Sequence, residues 1–246
     1  MGDAQVILVA GATGALGPDV VATLAGAGHQ VVVTGRNPET LAKLEADRVC
    51  PVTADMADPL QASRAVADTI ERFDRIDGLV NLIGTFHVGP VMLTDLAAYR
   101  RLFETNVLAA VTATKAVLPQ LGDGGHLVYV SSVLANEPFP GFGAYAASKA
   151  ALQAWVRSLS HEVKHRGVHA NVVLMTMADT PQARQQRPNV NFDHATKPAA
   201  VAKAIEFLIS PAADGIYGAT IPVLGRFEFS TELAAPPPGA PPLGRL

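Results

Sequence analysis

Short β-branched runs recur along nearly the whole chain, each followed by a longer stretch of helical pattern, and no other feature constrains the fold as much. Val6-Ile7-Leu8-Val9, Val31-Val32-Val33, Leu79-Val80, Leu127-Val128-Tyr129-Val130 and Val172-Val173-Leu174 are unbroken apolar runs. Strands buried on both faces need such runs, whereas half-exposed strands alternate. Weaker runs at 48–52 and 219–223 predict two more strands. Helical stretches fall around 20–27, 59–73, 106–121, 145–166 and 199–209. Strands alternating with helices pair in parallel through right-handed crossovers. The expected fold is therefore α/β: one doubly wound parallel sheet of about seven strands with helices on both faces. A single domain is expected over residues 1–233. The segment 234–246 carries five prolines and two glycines; it reads as a flexible tail, or else as a contact for a partner.

Composition supports a well-filled interior and removes several classes of function. Of the 246 residues, 49% are hydrophobic and 17% charged, which is the profile of a folded domain. A formal net charge of −3 offers no basic footprint for nucleic acid. Cys50 is the only cysteine, so neither a disulfide framework nor a cysteine-based metal site is expected, and a reducing, cytoplasmic setting fits. No apolar run reaches the ~18 residues of a membrane span. The chain passes from Met1-Gly2-Asp3 straight into a strand, leaving no room for a signal peptide, and Val6 stands where a myristoylation signal needs Ser or Thr.

Between the first strand and the first helix lies Ala10-Gly11-Ala12-Thr13-Gly14-Ala15-Leu16-Gly17. A tight turn whose backbone approaches a pyrophosphate needs glycine, and the helix N-terminus beyond it supplies free N–H groups and a favourable dipole. In that context the turn points to a Rossmann-type, dinucleotide-binding sheet, with Gly11, Thr13, Gly14, Ala15 and Leu16 as cofactor contacts. The second strand ends Thr34-Gly35-Arg36. The carboxylate that NAD-binding domains place here for the ribose hydroxyls is missing, and a guanidinium that can fork onto a 2′-phosphate follows. This favours NADP(H) over NAD(H), although Arg36 is equally readable as a solvated surface residue. Asp55-Met56 and Asn81-Leu82-Ile83-Gly84 follow the third and fourth strands, at the carboxyl ends where open α/β sheets bind ligands. Asp55 is suited to the adenine amino group with Met56 beside it. Asn106 reads either as a site residue or as an ordinary helix cap.

The catalytic signal is Tyr145-Ala-Ala-Ser-Lys149, thirteen residues after Ser132. A phenol with a pKa near ~10 shuttles protons poorly at neutral pH unless a cation stabilises its phenolate. Lys149, one helical turn along, faces the same side. The plainer reading is an incidental pair on a helix surface. With Ser132 and the glycine-rich turn in one chain, the sequence resembles the short-chain dehydrogenase/reductase family in its simple one-domain branch, over about residues 4–225. The resemblance implies Asn106, Ser132, Tyr145 and Lys149 as a catalytic tetrad. Ser132 would bind the substrate oxygen and Tyr145 would protonate it. Lys149 would lower the phenol pKa and hold the nicotinamide ribose, and Asn106 would support a proton relay. It further implies cofactor contacts from Asn81, Leu82, Gly84, Met175 and Thr180, and a homodimer or homotetramer built through the helices near 106–121 and 145–166.

Two departures stand out. Asn81-Leu82-Ile83-Gly84 replaces the family's Asn-Asn-Ala-Gly, and Met175-Thr176 replaces its Pro-Gly. The stretch 174–198 is similar to quinonoid dihydropteridine reductases and related bacterial reductases, yet those lack the serine that this chain keeps at 132. The expected activity is NADPH-preferring reduction of a small-molecule carbonyl, or the reverse oxidation of an alcohol. Reduction of a quinonoid or pterin-like ring is a second reading. A catalytically silent NADP(H)-sensing protein is the reading from another class, kept open by residues 82–83 and 175–176. Phe86, His87, Leu134, Phe139, Phe142, Met177 and Phe192 are candidates to ring the nicotinamide, each equally assignable to core packing. Arg184 and Arg187, in a short polar lid at 181–197, are available to an anionic group. His161-Glu-Val-Lys-His165 matches the zincin pattern but sits at the far end of the Tyr145 helix, and no metal site is expected.

Overall fold

Alternate residues of the first strand bury into different layers. Ile7 and Val9 face one set of helices, and Leu8 and Ala10 face the other, as the two-residue period of a pleated strand requires. The computed structural model describes residues 4–226. Among them, β1 (Val6–Ala10), β2 (Gln30–Gly35), β3 (Val49–Thr53), β4 (Ile76–Asn81), β5 (Leu121–Ser132), β6 (His169–Met175) and β7 (Thr220–Val223) form one sheet. Its order is β3-β2-β1-β4-β5-β6-β7 and all its pairings are parallel. Strand order reverses at β1, between β2 and β4, which is where a doubly wound sheet opens a crevice.

The helices are α1 (Gly17–Gly26), α2 (Pro38–Ala42), α3 (Pro59–Phe73), α4 (Leu96–Phe103), α5 (Ala109–Val117), α6 (Gly143–Val163), α7 (Pro181–Gln186) and α8 (Pro198–Ile209). On one face Val20 and Leu24 of α1 and Val201 and Ile205 of α8 pack on Val9, Val33, Val80, Val128 and Val173. On the other, Val66 of α3, Ala110 and Val117 of α5, and Leu152 and Val156 of α6 pack on Leu8, Leu79, Leu127, Tyr129 and Val172. The expected class, with seven strands and helices on both faces, is what the chain forms. Among the described residues no helix is long and apolar enough to cross a membrane. The segment 234–246 and the last residues assigned to the domain lie outside the described residues.

Boundaries differ in informative places. The helix expected at 106–121 begins ten residues earlier, because Asp95 caps α4 by accepting the Ala98 N–H at 2.6 Å. It then runs through a π-helical turn, Glu104–Leu108, into α5, which ends at Val117. Asn106 lies inside that turn and is buried, so it is neither a helix cap nor an early residue of a long helix. Strand β5 starts at Leu121 rather than Leu127; three glycines at 122, 124 and 125 hide its first half. The short helices α2 and α7 are additions, each opened by a side-chain cap (Asn37, Thr180) and a proline.

Candidate active site

Parallel pairing puts all seven carboxyl ends on one edge, and the residues singled out in the sequence gather along it. The glycine-rich turn leaves β1 there. Gly11 has φ +79°, and a Cβ on it would stand 3.0 Å from the Ile83 backbone. A Cβ on Gly17 would lie 1.7 Å from the Ala12 carbonyl oxygen, so α1 can start this close to the turn only with glycine there. Unlike α2, α3, α4 and α7, helix α1 opens without a side-chain cap. The Gly17 N–H is donated to the Gly14 carbonyl at 3.0 Å and Pro18 has none, so an anion here would meet the backbone of the turn rather than the first N–H groups of the helix. Gly14, Ala15 and Leu16 line a cavity of about 590 Å³.

The far wall of that cavity carries Ser132, at the end of β5, and Tyr145 and Lys149, on the first turns of α6. Burial pushes the Tyr145 phenol up to about 12, and the Ser132 hydroxyl partly opposes this. Burial pulls Lys149 down to about 8, and its Nζ donates to the Val130 carbonyl at 3.0 Å. Burial is the largest cause in both groups.

Asn106 reaches the site through the main chain. Its Oδ1 accepts the Thr85 N–H at 2.7 Å, and its Nδ2 donates to the Thr85 carbonyl at 3.0 Å and to Ser148 Oγ at 2.9 Å. Ser148 in turn donates to the Tyr145 carbonyl at 2.7 Å. A Cβ on Gly84 would lie 3.2 Å from both Asn106 Oδ1 and Lys149 Nζ, so the glycine keeps the approach to both groups open.

The remaining expected contacts divide. Leu82, Gly84, Met175 and Thr180 line the same cavity, and the Thr180 hydroxyl is engaged in capping α7 through the Ala183 N–H. Gly11, Thr13, Arg36, Asp55, Met56 and Asn81 lie outside it. Thr13 sits beside Gly35, and Arg36 is exposed just past β2. The Asp55 carboxylate accepts the Ala57 N–H at 3.0 Å. At 2% exposure the Met56 side chain packs with Ala54, Ala62 and Val66 in the core. Asn81 is buried at the end of β4 with its Oδ1 unpartnered.

The model of the family described as short chain dehydrogenase matches residues 5–191. The chain belongs to the short-chain dehydrogenase family. Dehydrogenase/reductase SDR family member 7B of Danio rerio is 31% identical over 69% of this chain and 59% of its own length; the chain thus spans about three-fifths of that relative. Sulfoacetaldehyde reductase 2 of Chromohalobacter salexigens is 32% identical over 72% of this chain and 73% of its own. Among solved structures, a short-chain type dehydrogenase/reductase from Mycobacterium ulcerans superposes with a TM-score of 0.84 at 25% identity, covering 90% of this chain and 89% of that one. A blue fluorescent protein from a metagenomic library, in complex with NADPH, gives 0.79 at 30% identity, over 91% and 97%.

This short-chain dehydrogenase differs from the sequence reading mainly in its substrate end. Phe86, Leu134, Phe142 and Met177 line the cavity; His87, Phe139 and Phe192 do not. Phe139 packs with Val133, Leu134 and Phe142, and Phe192, at 2% exposure, is buried beneath the lid under Arg184. Arg184 is committed to Asp179 at 2.5 and 3.1 Å, and Lys197 binds the same carboxylate. Arg184, then Lys197, hold Asp179 down at about 2. Two positioning residues went unnoticed. Ser148 lies inside the Tyr-Ala-Ala-Ser-Lys motif, one position before Lys149. Gln153 follows Lys149 by four residues on the same helical face and donates to Ser131 Oγ at 3.0 Å. Spacing alone was the available signal for both. No group of three metal-ligating side chains forms among the described residues.

Proposed function

We propose that the protein is an NADPH-preferring oxidoreductase that transfers a hydride between the nicotinamide and a carbonyl or alcohol carbon of a small molecule. The carrying observation is one cavity with Ser132, Tyr145 and Lys149 on one wall and the uncapped glycine turn of α1 on another. The turn suits a pyrophosphate because its close approaches exclude any Cβ. Gly35 and the exposed Arg36 suit a 2′-phosphate, since no carboxylate ends β2 to repel it. When bound, the nicotinamide group supplies or accepts the hydride.

The chain's own residues do the rest. With its pKa near 12, Tyr145 is protonated at neutral pH, the form needed to give a proton to an oxygen that gains negative charge. Ser132 directs its hydroxyl to the same oxygen. Lys149 is fixed by Val130 and suits a ribose hydroxyl. Asn106, held by Thr85 and Ser148, positions Gly84 and the Tyr145 turn and so supports a proton path. Hydroxyl and phenol together favour a carbonyl over a quinonoid or pterin-like ring. Assembly through the long helices into a homodimer or homotetramer belongs to the same reading, since Phe103 and Leu108 stand exposed beside α5.

The test is NADPH oxidation by the pure protein against ketones, aldehydes, quinones and quinonoid dihydropterin, with NADH in parallel. Tyr145→Phe should lower turnover about 10²- to 10⁴-fold with an unchanged unfolding midpoint. Tight NADPH binding with no turnover of any compound would instead favour the silent NADP(H)-binding protein.

A further inference from the structure

Hydride transfer leaves one charged residue of the cavity without a task. Arg187 ends α7, half-buried, with its guanidinium carbon 5.0 Å from the centre of the Phe86 ring and Nη1 3.2 Å from Met177 Sδ. Neither neighbour carries charge, and a thioether accepts weakly. Three residues earlier, Arg184 has a carboxylate to itself and Lys197; among the described residues Arg187 has none within ion-pair distance. The cavity lining holds two cations, Lys149 and Arg187, and no carboxylate. Burial pulls the Arg187 pKa down with no charge to offset it.

A half-buried cation with an aromatic ring on one side and no counter-charge is completed by water or by an anionic ligand. A guanidinium presents N–H donors in a planar fork that matches an oxyanion. Its position says which part of a ligand it would meet. Phe86 stacks edge-on against Tyr145, with ring centres 4.9 Å apart, so phenol and guanidinium flank the same aromatic ring. The backbone of the glycine turn is available to phosphates elsewhere on the cavity wall. A molecule whose carbonyl oxygen meets Tyr145 therefore has Arg187 within a few bonds' reach.

We propose that Arg187 sets the specificity of this pocket, which takes carbonyl substrates bearing a carboxylate or sulfonate a few bonds from the reacting carbon. The inference rests on the hydride-transfer reading given above. Arg187 anchors the anion, Phe86 forms the floor between anion and carbonyl, and Ser132 and Tyr145 meet the carbonyl oxygen.

The experiment pairs anionic and neutral probes: acetoacetate with methyl acetoacetate, and sulfoacetaldehyde with propanal. Each is tested for NADPH oxidation by the wild type, Arg187→Gln and Arg187→Lys. The wild type should favour the anionic member of a pair by about 10- to 100-fold in kcat/KM. Arg187→Gln should erase that preference, mainly through KM, while leaving the neutral probe within about twofold; Arg187→Lys should fall between. Equal efficiency on both members, or an equal loss on both in Arg187→Gln, overturns the inference and leaves hydride transfer standing. If no probe is reduced, the hydride-transfer reading fails for these substrates, and calorimetric titration of acetoacetate and sulfoacetaldehyde onto the NADPH-loaded protein decides the inference by itself. Saturable binding lost in Arg187→Gln supports an anion site, and absence of binding overturns it.

Discussion

Acidification should weaken this fold before its carboxylates begin to titrate, through a histidine far from the cavity. His126, on β5 and in register beside Gly78 and His169, is 4% exposed, and its Nδ1 has no hydrogen-bond partner. Its ring stacks on His169, with centres 5.0 Å apart and planes 29° apart. Burial first, then the charge on His169, pull its pKa to about 4 from 6.5; Asp214, the Leu208 carbonyl and Asp77 pull the other way. A histidine whose folded pKa lies below its unfolded value takes up its proton first in the unfolded chain. Its contribution is whole above about pH 6.5, falls as pH drops from there, and levels off near pH 4. That gap is worth roughly 3 kcal/mol in all, and about 2 kcal/mol between pH 6.5 and 5. The assay is urea unfolding at several pH values from 7.5 to 4.5, for the wild type and His126→Phe. The variant keeps a ring on His169 and gives up the contact with Leu208, so it starts less stable at pH 7. Its curve should then fall by about 2 kcal/mol less than that of the wild type by pH 5. His29 is also pulled down by burial and acts in both proteins, so the difference isolates His126. Parallel curves for the two proteins would refute the reasoning.

Gly17→Ala, whose Cβ would meet the Ala12 backbone at 1.7 Å, should cost about 2–3 kcal/mol in denaturation and abolish NADPH fluorescence enhancement. Gly26→Ala, in the same helix with nothing within 4 Å of the added carbon, is the control and should be neutral or slightly stabilising. Asn106→Leu leaves the Thr85 N–H and the Thr85 carbonyl without their partner and the Ser148 hydroxyl with the Tyr145 carbonyl alone. It should lose about 3 kcal/mol, and a loss below about 1 kcal/mol by urea titration would contradict the accounting. Arg36→Asp should shift the NADPH-to-NADH ratio of kcat/KM towards NADH by about 10- to 100-fold, and an unchanged ratio would remove Arg36 from the cofactor site.

Where one local signal dominated, the sequence could be read directly. Val31-Val32-Val33 and Val172-Val173-Leu174 read as buried strands, because short β-branched runs suit a sheet covered on both faces, and both lie in the sheet. The glycine turn and the Ser132, Tyr145, Lys149 spacing were legible because each answers to a geometric need met within one or two elements. What escaped depends on partners distant in sequence. The π turn around Asn106 is set by Thr85 and Ser148, 21 and 42 residues away. Whether Phe192 lines a pocket or fills a core depends on how the lid folds, which no periodicity encodes. Arg184 and Arg187 are told apart by Asp179, which engages Arg184 across the fold of the lid.

The π turn also acts as a phase shifter. An α-helix advances about 100° per residue, so one residue too many between α4 and α5 rotates every later side chain by that angle relative to the earlier ones. Helix α4 packs against α6, whereas α5 packs beside α3 and buries Ala109, Ala110 and Ala113. A single uninterrupted helix could not present both faces in these directions. Removing Thr105 would bring the two halves back into phase, and the molecule would then have to give up one contact set. Either Asn106 swings away from Thr85, or the buried face of α5 turns away from the core. The extra residue thus couples two packing problems that a regular helix would have to solve separately.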